Sequence, residues 1–142
     1  MIVVDDLLLL EVLAGVAESN TQAAFESGEV FTTGSWYWRL AKAVRTDRLE
    51  GALTRGFNDL GVPEQRLVQD HLAELPPSVG LLDYRKLVPV MTAIDVGRSL
   101  NMLAADAIAT AMTIDGTILV RTDAPLVRFA AHVLALGYGV VE

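Results

Sequence analysis

The chain has 142 residues, a length that fits one domain, and a chain of this size buries roughly 68–70% of its unfolded surface. Hydrophobic residues make up 52% against 6% aromatic, which describes an aliphatic core, and the absence of cysteine leaves no disulfide framework and no thiolate metal site. The net charge of −7 argues against broad electrostatic binding to nucleic acid. No stretch approaches the ~18 uncharged apolar residues of a membrane span, and a start carrying Asp5 and Asp6 without a cationic region is a poor signal peptide, so the expected location is the cytoplasm.

Ile2-Val3-Val4 reads as a strand buried on both faces that stops on Asp5 and Asp6. The leucine-rich run Leu7–Leu13 is a helix ended by Gly15, and Glu18–Gly28 is a second helix or its frayed end. Glu29–Thr33 reads as a short strand between Gly28 and Gly34. Ser35 is placed to cap a helix over Trp36–Arg48, whose apolar positions Trp36, Leu40, Ala43 and Val44 keep the helical period. The cluster Trp36-Tyr37-Trp38 reads as core or subunit packing in preference to base stacking. Leu49–Leu60 and Glu64–Leu75 are further helices, the second started by Pro63. Lys86–Met91 is apolar, but Pro89 predicts an edge strand or extended loop.

Asp95 or Ser99 can cap a helix over Arg98–Ile114, the most regular of the chain. Asp115-Gly116 is a turn, Thr117–Val120 a strand that delivers Asp123, Leu126–Leu136 a helix, and Tyr138–Val141 a last strand. His71 and His132 each stand alone and read as structural. Strands alternating with helices predict an α/β fold, a mostly parallel sheet between helical layers.

Charge is segregated along this order. Residues 1–38 hold six acids and no Lys or Arg, whereas residues 39–55 hold Arg39, Lys42, Arg45, Arg48 and Arg55 against Asp47 and Glu50. That basic stretch reads either as a solvated helix face or as a stripe of phosphate contacts, with Arg39, Lys42 and Arg45 as the candidates.

Ligands in open α/β sheets bind outside the carboxyl ends of the strands. Asp5 and Asp123 end two strands, and Asp106 lies on the helix that feeds the second. If the first strand and Thr117–Val120 are neighbours, all three carboxylates meet over one edge. Carboxylates that close repel and take up protons unless a cation compensates them, and oxygen-only ligation points to Mg²⁺ or Mn²⁺. Two such ions can hold a scissile phosphate for in-line displacement.

Ile2-Val3-Val4-Asp5 before a Leu-rich helix, Leu103-Ala104-Ala105-Asp106-Ala107-Ile108 on an alanine-rich helix, and Ile118-Leu119-Val120-Arg121-Thr122-Asp123 at a strand end resemble the first, third and fourth motifs of PIN domains. The closing Leu136–Val141 also fits. The resemblance implies a three-layer α/β/α sandwich and a Mg²⁺-dependent ribonuclease with Asp5, Asp106 and Asp123 as metal ligands. It also implies a chain that commonly serves as the toxin of a toxin–antitoxin pair, often as a homodimer, with RNA as substrate and an antitoxin protein as partner. Two positions depart from the pattern. Asp6 and Leu7 stand where small polar residues are expected, and the window Ser35–Lys42 carries Arg39 and Lys42 but not the expected Glu. Asp6 can compensate as a metal ligand only if it faces the pocket. The alternative is a PIN-like interaction or dimerisation module without catalysis. Val3-Val4-Asp5-Asp6 also resembles receiver domains, but no Lys follows Lys86, and four leucines after the first strand exclude a dinucleotide-binding turn.

Overall fold

A computed structural model describes residues 1–45, 51–95, 100–121 and 138–141. In chain order these form β1 (Ile2–Val4), α1 (Asp6–Ala14), α2 (Ser19–Glu26), β2 (Val30–Thr32), α3 (Gly34–Arg45), α4 (Ala52–Asn58), α5 (Val62–Ala73), β3 (Val79–Leu81), α6 (Tyr84–Asp95), α7 (Met102–Ile114), β4 (Thr117–Arg121) and β5 (Tyr138–Val141). The five strands pair in the order β3-β2-β1-β4-β5, every pairing parallel. The expected helix over 126–136, His132 and Asp123 lie outside the described residues.

The pleat sorts the strand side chains between two cores. Ile2, Val4, Val30 and Leu119 pack with the leucines of α1, with Leu40 of α3, Phe57 of α4 and Val68 and Leu72 of α5. Val3, Phe31 and Ile118 pack on the opposite side with Trp36, with Leu87 and Ile94 of α6 and with Ala107, Ile108 and Ala111 of α7. Helices therefore cover both faces of the sheet, which is why its strands are continuous apolar runs rather than alternating ones. Helix α1 packs against α3, α4 and α5. Leu8, Leu9, Leu10 and Leu13 are each at most 3% exposed, each such burial contributing about 1.5–3 kcal/mol.

Local chemistry sets the helix boundaries. Helix α1 starts where Asp5 Oδ1 accepts the Leu8 N–H at 2.9 Å and stops at Gly15, whose φ of 76° only glycine adopts without strain. Helix α3 is capped by Thr33, not Ser35, because the Thr33 hydroxyl accepts from the Trp36 N–H at 3.1 Å. Ser35 is released from capping and turns to a different partner. Helix α7 begins at Met102, later than the expected Arg98, because the Asn101 side chain caps the Ala104 N–H.

The expected edge strand or extended loop over Lys86–Met91 is wrong. That segment lies inside α6, and the missing strand is Val79–Leu81. Leu87, Val90, Met91 and Ile94 recur at the helical period and face the core. Asp83 starts the helix by accepting the Arg85 N–H at 2.7 Å. Pro89 sits on the exposed side, where it lacks the N–H for the Arg85 carbonyl and its ring crowds that carbonyl.

Candidate active site

Strands β2 and β3 lie to one side of β1 and strands β4 and β5 to the other, so the strand order reverses between β1 and β4. Val4 pairs with Leu119 across that junction. A crevice opens at such a switch point, outside the carboxyl ends of the two strands. Asp5 stands there, 1% exposed, directly after β1. Its Oδ1 is held by the α1 cap, so its carboxyl group is fixed against the first turn of that helix. Beside it the Thr32 hydroxyl donates to the Val4 carbonyl at 3.0 Å, tying the end of β2 to the end of β1.

Asp106 lies in the second turn of α7 and is completely buried. Its Oδ2 accepts from the Ser35 hydroxyl at 2.8 Å, the Ser35 N–H at 3.3 Å and the Tyr84 hydroxyl at 2.8 Å. The donors belong to the first turns of α3 and α6, so one carboxylate oxygen joins three helices. Its position against the α3 N-terminus is also electrostatically favourable, because the unpaired N–H groups and the helix dipole attract negative charge. Asp106 Oδ1 is buried and has no hydrogen-bond partner among the described residues. The Tyr84 hydroxyl has its pKa pushed above the ordinary 10.0, first by burial and then by the neighbouring Asp106, against the Ser35 hydrogen bond that lowers it.

Asp6 opens α1 and is 6% exposed. Its Oδ1 accepts from the Leu7 N–H at 2.9 Å, and its Oδ2 lies 3.4 Å from Arg39 Nη1. Burial raises the pKa of Asp6 above its ordinary value, and the Arg39 guanidinium and backbone hydrogen bonds oppose that rise. Asp6 thus faces α3 and a cation of the chain itself.

The three candidate phosphate contacts diverge. Arg39 is turned toward Asp6. Lys42 is exposed. Arg45, at the far end of α3, borders a hollow against α5 with Gln69 and Leu72. The aromatic cluster also divides. Trp36 is fully buried, Tyr37 donates to the Leu72 carbonyl at 2.6 Å, and Trp38 is 67% exposed. Trp38 lines a pocket of about 420 Å³ with Ser35, Arg39, Tyr84, Met102 and Leu103, at the mouth of the Asp106 network. His71 Nδ1 lies 3.3 Å from the Leu13 carbonyl, a contact between α5 and the end of α1.

Sequence reasoning names Asp5 and Asp106 as candidates but not Ser35 and Tyr84, which the fold places on Asp106. Ser35 gave a signal, a hydroxyl next to a helix start, which pointed to capping instead. Tyr84 gives none, because it precedes a segment whose proline points to an edge strand or extended loop instead of a helix.

Oxygen donors suit a hard divalent cation. The free Oδ1 of Asp106 fits that role, and so does a carboxyl group fixed at the end of β1. Asp6 fits less well, since Arg39 already compensates it. Among the described residues no group of three or more His, Cys, Asp or Glu is arranged to hold a metal ion; Asp123, the expected third ligand, is not among them. The chain matches no protein-family model, and no curated protein matches it significantly.

Proposed function

We propose that this is a PIN-like, Mg²⁺- or Mn²⁺-dependent ribonuclease acting at the carboxyl edge of β1 and β4. The observation that carries the reading is the pairing of β1 with β4. It brings the residue after β1, Asp5, alongside the strand that leads to Asp123, while α7 contributes Asp106 from the preceding helix. Asp5, Asp106 and Asp123 would hold the metal. When bound, the ion supplies positive charge that offsets the clustered carboxylates and polarises a phosphodiester.

The remaining work falls to the chain itself. The Leu8 N–H fixes Asp5. Ser35 and Tyr84 are positioning residues: they occupy Asp106 Oδ2 and leave Oδ1 as the oxygen available to a ligand. Lys42, exposed on α3, is the candidate contact for an RNA phosphate. With this function go the toxin role in a toxin–antitoxin pair, a homodimer and a cytoplasmic location. No helix among the described residues is long and apolar enough to cross a membrane.

The test is a Mg²⁺ and Mn²⁺ titration by calorimetry with cleavage assays on single-stranded RNA, wild type beside Asp106→Asn and Asp123→Asn. Saturable binding and cleavage, both lost in the two variants, are expected. No binding at millimolar metal by a folded wild type removes the nuclease reading. A second reading, a PIN-like interaction module without catalysis, draws on the Asp6–Arg39 pair, a cation standing in the helix where the resemblance expects a Glu.

A further inference from the structure

We propose that Arg39 is the resident counter-cation of the acidic edge and competes with a divalent metal ion for Asp6. The inference rests on the reading of that edge as a metal site and names the residue that regulates it.

Asp6 is buried at the first position of α1, next to Asp5 at the switch point. Its Oδ2 is buried and accepts no hydrogen bond among the described residues. A carboxylate so placed is costly unless a cation compensates it. Arg39 Nη1 lies 3.4 Å from that oxygen, a charge contact without hydrogen-bond geometry. Arg39 offsets part of the charge of Asp6 but leaves the lone pairs of Oδ2 without a donor, so a metal ion coordinating that oxygen directly has something to gain.

Arg39 is able to leave. Its side chain is 42% exposed, and it stands at the rim of the pocket lined by Trp38 and Tyr84. A long cationic side chain in this position can return its head to water while its stem stays packed. Arg39 also follows Ser35 by one turn on the same face of α3. One helix face therefore serves both carboxylates, a hydroxyl to Asp106 and a cation to Asp6. With Arg39 in place, an incoming divalent ion meets like charge and a carboxylate already compensated. With Arg39 absent, Asp6 is a buried, unpaired ligand beside Asp5.

The test is Mn²⁺ titration of the full chain by calorimetry, wild type beside Arg39→Gln and Arg39→Met, the second keeping an apolar stem if the first does not fold. Both variants are expected to bind Mn²⁺ at least about tenfold more tightly, on the scale of the one to three pK units that a neighbouring charge exerts on a carboxylate. Adding Asp6→Asn to either variant should abolish the gain. In chelator the variants should melt below wild type, and Mn²⁺ should restore them. A purely structural Arg39 gives the lower melting temperature without the gain in affinity. Saturable wild-type binding that the Arg39 variants leave unchanged or weaken overturns this proposal alone. No saturable binding in wild type or either variant overturns it together with the metal reading.

Discussion

The hydroxyl of Tyr84, the first residue of α6, donates to Asp106 Oδ2 in α7 across 2.8 Å. The two residues are 22 positions apart, and the bond engages Oδ2 while Oδ1 has no hydrogen-bond partner among the described residues. Removing the hydroxyl with Tyr84→Phe should cost about 1.5 kcal/mol, as expected for a hydrogen bond to a charged group. The same change in an Asp106→Ala background should cost close to nothing. Urea unfolding of the four proteins gives the coupling energy directly, and additive effects would mean the bond contributes nothing in solution.

Asp6 makes stability depend on pH. Its folded-state pKa is raised above the ordinary 3.8, chiefly by burial. The folded state therefore holds this proton more tightly than the unfolded state. The stabilising contribution is complete below 3.8 and is lost as pH rises through the folded pKa. The melting temperature of Asp6→Asn relative to wild type should consequently be more favourable at pH 7 than at pH 3. A difference that does not change with pH would show that Arg39 fully cancels the burial penalty.

The two tryptophans should behave oppositely. Trp36 is fully buried and Trp38 is 67% exposed. Trp36→Ala should cost about 3–5 kcal/mol through the cavity it leaves, whereas Trp38→Ala should stay within about 0.5 kcal/mol. Iodide should quench the fluorescence of Trp36→Phe strongly and that of Trp38→Phe weakly. Equal quenching would place both rings in the same environment and contradict the split.

Pro89 interrupts α6 on its exposed side. Pro89→Ala restores an N–H for the Arg85 carbonyl and removes the ring clash with it. The variant should be more stable by about 1 kcal/mol or more. A loss of stability on chemical unfolding would mean that the proline's restriction of the unfolded chain outweighs its cost to the helix.

Much of this was present in the residues taken alone. The buried first strand, its end on Asp5, the Leu-rich helix, the alanine-rich helix carrying Asp106 and the final strand pair all follow from local rules of period, capping and turn chemistry. Those rules act over a few residues, which a sequence displays side by side. The α6 error came from the same level. Pro89 points to an edge strand or extended loop, although the spacing of Leu87, Val90, Met91 and Ile94 marks a helix. What only the tertiary structure decided is pairing between distant segments: β1 beside β4, Ser35 and Tyr84 on Asp106, Arg39 on Asp6, Trp36 inward and Trp38 outward. None of these is set by neighbours in the chain. Each depends on which helix face the sheet buries and on which donor the packing brings within 3 or 4 Å of a buried carboxylate.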